Sequence, residues 1–362
     1  MDRVGVALLG CGFVAEIHAD CYQRFVPEAH VMVVAGRNEA KTRAFAERFG
    51  IPHYVTDYRK ALALDEVHIA DVCIPNYLHA EATVAAASAG KHVICEKPLC
   101  MNLREADEMI AACARAGVRL MYAEELCFAP KYVRAKQLVD EGALGKVYLV
   151  KQSEKHYGPH ADWFWDVGRS GGGVMLDMGC HAIEFFRWIL GKPRALSVYA
   201  QMGTYAHGDK TRGDDNSIAL VEFEGGAVGM AEESWAKRGG MDDRAEIYGS
   251  EGVTYADLLH GNALETYSEV GYGYAVEKAP ETKGWTFTVF EEAWNYGFPQ
   301  ELAHFVDCVK NGTPPLETGE DGRAALEIIM AAYESAATGR KVELPFLSDA
   351  KTPIEPWVRG RR

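Results

Sequence analysis

Residues 4–15 read VGVALLGCGFVA, and their conformation decides the fold. The apolar run up to Gly10 reads as a strand buried on both faces of a sheet. GCGFVA (10–15) follows with the spacing G-x-G-x-x-A. Gly10 permits a tight turn, Gly12 lets the main chain approach a pyrophosphate, and Ala15 is small enough for a helix to pack closely on the strand. The helix opening at Phe13 and Val14 turns free N–H groups and a positive dipole end toward the phosphates. Gly10, Gly12, Phe13 and Val14 are therefore candidate dinucleotide contacts.

The same rhythm continues to about residue 125. β-rich runs at 4–10, 30–36, 67–74, 91–96 and 118–124 alternate with alanine-rich, helix-period segments at 13–25, 39–49, 77–89 and 103–116. This alternation predicts a doubly wound parallel sheet with right-handed crossovers, a Rossmann-type α/β domain over 1–125. Beyond it, one helix (129–141) leads into longer strands at 146–156, 195–204, 215–224, 226–235 and 243–250, with FEGGAV and GSEG as tight connections. A helix at 174–190 interrupts them, and two more are expected at 299–311 and 320–337. Residues 126–345 thus read as an α+β domain with a large, mainly antiparallel sheet, and 346–362 as a tail. Residues 260–298 carry no clear period.

Composition narrows the function. Of 362 residues, 48% are hydrophobic and 25% charged, an ordinary globular balance. Net charge is 38 − 52 = −14, which opposes nucleic acid or an anionic membrane as partner. The basic end VRGRR is too short to reverse this and reads as a solvated tail. Nine cysteines, with no CxxC and no zinc-type spacing, fit a reduced, cytoplasmic protein. No apolar run reaches the roughly 20 residues of a membrane helix. The start has about 12 mostly apolar residues, as a signal peptide does, but Asp2 and three glycines make a buried first strand the better reading.

Two strand ends should rim the cofactor, because ligands of open α/β sheets sit outside the carboxyl ends of the strands. One is IPNYLH (74–79), with Pro75, Asn76 and His79; the other is CEKPL (95–99). There Lys97, stiffened by Pro98, is placed to polarise a hydroxyl or carbonyl oxygen at the nicotinamide end, with Glu96 holding the lysine or the ribose. The second strand ends in Gly36–Arg37 with no acid until Glu39. A small residue there leaves room for a 2′-phosphate, and Arg37 could pair with it, so NADP is favoured over NAD, unless Arg37 only faces solvent.

Three segments in order, GCGFVA, PNYLHAEATVAAASAGKHVICEKPL and GGGVMLDMGCHAIEFFRWILG, resemble the glucose–fructose oxidoreductase / inositol dehydrogenase (Gfo/Idh/MocA) family, and DGRAALEIIMAAYESAATGRKVELP is similar to its closing pattern. The resemblance implies a Rossmann domain followed by an α/β domain whose open sheet commonly serves oligomer contacts. It also implies NAD(P)-dependent oxidation or reduction of sugars, inositols and related polyols, with Lys97, Asp177 and His181 in the active site. Where the family often carries EN-x-R before the interdomain helix, this chain has EELCFAP, with Glu125 and Cys127 in place of Asn and Arg. A substrate-facing arginine is therefore expected to be missing, which argues against strongly anionic substrates.

In GGGVMLDMGCHAIEFF (171–186), Asp177 and His181 stand four apart, on one face of a single helix. His181 suits a general base that takes a hydroxyl proton, and Asp177 an orienting group. A metal is not expected, since no third ligand has a telling spacing. EKHYGPHADWFWD (154–166) offers His156, His160, Trp163 and Trp165 either as a sugar-binding surface or as a loop clipped to the core. His18 reads as helix packing rather than a ligand, and Cys95 and Cys180 as either reactive or merely small. The expected protein is a homo-oligomeric sugar, inositol or polyol dehydrogenase. The alternatives are a glycoside-cleaving enzyme of the same family that uses NAD transiently, and a nucleotide sensor without chemistry.

Overall fold

The computed structural model describes residues 3–260, 264–274, 276–279, 282–289 and 291–360. The chain divides into two compact units, Met1–Glu125 with Gly297–Ala324, and Leu126–Tyr296 with Ala325–Arg362. The sequence rhythm has one crossing near residue 125; the observed division adds a return to the first unit over Gly297–Ala324.

The first unit begins β1 (Val4–Leu9), α1 (Phe13–Phe25), β2 (Ala29–Ala35), α2 (Glu39–Arg48), β3 (His53–Val55), α3 (Tyr58–Leu62), β4 (Ile69–Val72), α4 (His79–Ser88), β5 (His92–Glu96), α5 (Leu103–Ala116) and β6 (Leu120–Ala123). All six strands are parallel, in the order β3-β2-β1-β4-β5-β6. This is the doubly wound order whose switch point lies between β1 and β4. The strands are short runs of Val, Ile, Leu and Ala; every residue of β1 and β4 is buried, Asp71 included. α5 starts where the Asn102 side chain accepts from the Glu105 N–H and ends at left-handed Gly117. β3 and α3 were not expected. β3 has three residues, none of them buried, so it carries no apolar run to read.

The second unit opens with α6 (Pro130–Asp140), β7 (Val147–Lys155), α7 (Val167–Ser170), α8 (Val174–Asp177) and α9 (Gly179–Ile189). It continues with β8 (Ala195–Gly203), β9 (Asn216–Phe223), β10 (Val228–Ser234), β11 (Asp242–Gly249), β12 (Val253–Asp257), β13 (Leu264–Ser268), β14 (Gly284–Thr288) and α10 (Glu292–Tyr296). α11 (Phe298–Asn311) and the start of α12 (Gly319–Thr338) belong to the first unit, and β15 (Val342–Glu343) and α13 (Glu355–Gly360) to the second. Seven strands form a sheet in the order β12-β11-β7-β10-β9-β8-β15, antiparallel except for the β7–β10 pair. FEGGAV is a hairpin turn with Gly225 and Gly226 at positive φ, and GSEG joins β11 to β12. α9 packs on one face; a Cβ on Gly229 of β10 would lie 2.2 Å from the Phe186 ring. On the strictly alternating β9, Ile218 and Leu220 remain exposed, as do Tyr148 and Tyr199 on β7 and β8. The stretch without period holds the antiparallel ribbon β13–β14. The expected tail runs into α13, where Trp357 is buried; Arg361 and Arg362 lie outside the described residues.

Candidate active site

The turn after β1 meets the demands of a dinucleotide. Gly10 has φ +131°, and a Cβ there would sit 2.1 Å from the Cys73 carbonyl oxygen. Around a Cβ on Gly12 nothing lies within 4 Å, so the approach to the start of α1 is open. The first N–H groups of α2, α3 and α5 are capped by Asn38, Asp57 and Asn102, whereas no side chain caps α1. Main-chain donors that no capping side chain takes, at a positive dipole end beside an open glycine, fit a pyrophosphate. Phe13 is 44% exposed at this end, next to half-buried Val14, and Ala15 is buried as expected.

Gly36 has a different reason to be small. Its Cβ would fall 2.5 Å from Thr42 Oγ1 and 2.6 Å from Cys11 Sγ, so packing between β2 and α2 explains the glycine. Arg37 is exposed and, among the described residues, forms no ion pair.

At the ends of β4 and β5, Pro75 and Lys97 are half-buried and Asn76 is buried. His79 is fully buried, its Nδ1 3.0 Å from the Pro98 carbonyl and its Nε2 2.7 Å from that of Ile74. It clips the two strand-end loops together. The Lys97 N–H donates to Glu96 Oε2 at 3.1 Å, and the Lys97–Pro98 peptide is cis. The Cys95 thiol is buried, pushed up by that burial, and directed at main-chain carbonyls, which makes it a small core residue.

His18 is more than helix packing. It lies at 0% exposure on α1, with Nδ1 2.9 Å from Asp71 Oδ2 and Nε2 3.0 Å from Glu96 Oε1. Tyr22 donates to the same Asp71 oxygen at 3.0 Å. Burial opposes charge on this imidazole, but Asp71 and its neighbours outweigh that and hold its pKa well above the usual histidine value. Cys73 approaches Asp71 and His18 at 3.3 and 3.4 Å, so these ligand-type atoms face one another in a proton-sharing cluster.

In the second unit, Asp214 holds the glycine run. Its carboxylate accepts from the Gly173 and Met175 N–H groups, Ser217 Oγ and Tyr333 Oη at 2.7–3.1 Å. Gly173 must be glycine, because its Cβ would meet the Asp214 carbonyl at 2.1 Å. The single helix expected over 174–190 is two helices that meet at Met178. Asp177 ends α8, its N–H donating to Gly173, and His181 lies in the first turn of α9, its N–H donating to Met178. Both side chains are buried, at 3% and 2% exposure. Cys180 points its thiol at the Asp177 carbonyl, 3.1 Å away.

Asp177 has company. The fully buried His156 feels its charge, and so does Lys278. Lys278 Nζ donates to the carbonyls of Gly158 and Pro159, at 3.0 and 2.7 Å. The His156 and His160 rings are 5.5 Å apart, and His160 pairs with Glu277 at 2.7 Å. Burial, reinforced by the His160 and Lys278 charges, pushes His156 down to about 3, so it stays neutral at working pH. The tryptophans divide differently. Trp165 packs edge-on against Trp235 and beside His207, part of a core with Val174 and Met178; Trp163 stacks on Phe164 at 3.8 Å.

Asp71, Asp214 and Lys278 escaped the sequence reading. An acid inside the apolar run of β4 was a usable signal for Asp71, and the Asp214–Asp215 pair before a strand was a weak one. Nothing near Lys278 hinted at its neighbours, since they lie more than a hundred residues away in sequence.

Comparison with known proteins agrees with this architecture. Residues 4–124 match the oxidoreductase family NAD-binding Rossmann fold, and residues 136–344 that family's C-terminal alpha/beta domain. A myo-inositol 2-dehydrogenase of Thermotoga maritima is 29% identical, covering 94% of this chain and 98% of the relative. GenD2 from gentamicin A biosynthesis, solved in complex with NAD, superposes with a TM-score of 0.90 at 35% identity, over 96% of this chain and 97% of that one. A levoglucosan dehydrogenase solved with NADH and levoglucosan gives 0.79 at 25% identity, over 95% and 100%. Matched in both halves and carrying both of the family's sheets, the chain belongs to the Gfo/Idh/MocA family of oxidoreductases.

Proposed function

We propose that this oxidoreductase interconverts a secondary alcohol and a ketone on a sugar, inositol or related polyol, with NAD(P) as hydride carrier. The observation that carries the reading is Lys97 at the end of β5, in the same sheet as an open, uncapped dinucleotide turn. The bound nicotinamide supplies hydride exchange. Gly10 and Gly12 admit the dinucleotide at the start of α1, Phe13 and Val14 flank it, and Pro75, Asn76 and Glu96 shape the strand-end rim. Lys97 polarises the substrate oxygen through its ammonium, His181 takes or returns the hydroxyl proton, and Asp177 orients the substrate and stabilises the imidazolium. His156, neutral, and His160 recognise hydroxyl groups. Trp163 remains a candidate apolar surface, while the packing of Trp165 supports a structural role. Lys97→Ala and His181→Ala should each lower kcat by about 10²–10⁴-fold, with NADH affinity less affected for His181→Ala. Product formation from a panel including myo-inositol tests this, and activity unchanged in both variants would refute the reading.

For the cofactor, Arg37 is the selector, an exposed guanidinium with no ion pair among the described residues. NADPH should bind more tightly than NADH, and Arg37→Ala should remove the difference, by fluorescence titration. Equal affinities in the parent protein would leave Arg37 a surface residue. The open sheet face with Tyr148, Tyr199, Ile218 and Leu220 suits contact with a second copy of the chain, which light scattering after size exclusion checks.

A further inference from the structure

We propose that His18 is a positioning residue for Lys97: an imidazolium locked between Asp71 and Glu96 that fixes the Glu96 carboxylate and, through it, the Lys97 main chain. This rests on the reading of Lys97 given above. Carboxylate oxygens stand 2.9 and 3.0 Å from the two ring nitrogens. The Asp71 contact is a hydrogen bond and the Glu96 contact an ion-pair approach without hydrogen-bond geometry; two carboxylates this close to one buried ring are held by the charge of the protonated imidazole. The other Glu96 oxygen accepts the Lys97 N–H at 3.1 Å, so one carboxylate joins the buried imidazole to the turn that presents the lysine.

The surroundings keep that charge in place. From α1 come Cys21 and Tyr22, the latter bonded to Asp71. β4 contributes Asp71 and Cys73, and β5 contributes Glu96. On α11, Phe298 meets the His18 ring edge-on at 5.9 Å, and Glu301 is fully buried among Glu125, Glu96 and Glu124. Burial, with those acids, drives the Glu301 pKa well up, which disfavours a further carboxylate charge beside the imidazolium. A neutral residue at position 18 would leave Asp71 and Glu96 as buried carboxylates without a counter-charge.

The test is a double-mutant cycle read by NADH fluorescence, which needs no turnover. His18→Gln and Glu96→Gln should each weaken NADH binding about tenfold, and the double variant should be no weaker than either single one. Losses that multiply in the double variant, or an unchanged affinity in His18→Gln, would overturn the proposal. If His18→Gln does not fold, Asp71→Asn probes the same link. Deprived of that counter-charge, His18 should lose its proton within the working range, so NADH affinity relative to the parent protein should fall as pH rises from 6 to 9. A ratio constant across that range would overturn the proposal. Intact coupling in a protein that turns over no polyol would refute the dehydrogenase reading and leave the positioning of the Glu96–Lys97 turn standing.

Discussion

Gly10 and Gly12 are two residues apart and should fail in different ways. At Gly10 a Cβ meets a main-chain oxygen at 2.1 Å with φ at +131°, so Gly10→Ala should cost at least about 2 kcal/mol of stability. At Gly12 the Cβ has open space, so Gly12→Val should keep the melting temperature within a few degrees while NADH binding collapses. Thermal melts paired with fluorescence titration separate the two; a stable Gly10→Ala would contradict the geometry. His156 carries a pH signature. Its folded pKa, about 3, lies below the usual 6.5, so between these values the unfolded chain binds a proton that the folded one refuses. This group therefore removes stability as pH falls through that window, by about 1.4 kcal/mol per pH unit. Denaturant unfolding of His156→Phe from pH 4 to 7 should show a shallower acid decline than the parent protein. Equal slopes would mean that His156 is not held neutral. At this scale the glycine turn after β1 and the place of Lys97 at the end of β5 were legible in the sequence because each is set by a local pattern. His18 was not, because its two carboxylate partners come from strands 53 and 78 positions further on.

At the scale of elements, the periodic strands and helices were legible and the break at Met178 was not. The apolar period runs straight through 174–190 and carries no sign of it, and the start of α8 is fixed from afar by Asp214, a side chain from beyond the next strand that ties down Gly173 and Met175. Across β11, β7 and β10 the sheet buries a row of acids: Asp243 opposite Glu154, whose N–H donates to Glu233 at 2.9 Å. Burial pushes Asp243 up to about 7 from the ordinary 3.8, against the pull of the Tyr132 hydroxyl at 2.6 Å. Here the folded state holds the extra proton, so stability is present at low pH and lost as pH rises through 7. Asp243→Asn should therefore be more stable than the parent protein at pH 8 by about 1–3 kcal/mol, with a smaller gain at pH 5. Urea titrations at the two pH values check this, and a loss of stability at pH 8 would show that the carboxylate is needed ionised.

For the whole molecule, alternating strand and helix announced the first unit and antiparallel pairing the second, but the return of Gly297–Ala324 to the first unit was hidden. An amphipathic helix announces that it will be buried, not against what. α11 lays Leu302, Phe305 and Val306 into the first unit, and the Glu317 carbonyl accepts the Tyr122 N–H. Residues 1–125 expressed alone should lack a cooperative melt, whereas the same residues joined by a flexible linker to 297–324 should melt cooperatively and bind NADH. Calorimetry of the two fragments decides; a cooperative melt of 1–125 alone would show that the return segment is dispensable.

That return also sets a timetable for synthesis. The segment completing the first unit leaves the ribosome about 200 residues after the strands it joins, roughly 10–40 seconds later at 5–20 residues per second. During that interval the face of α1 that α11 will cover has no permanent occupant. The nascent chain must wait with its first unit unfinished, which makes this interval the natural point for a chaperone to engage.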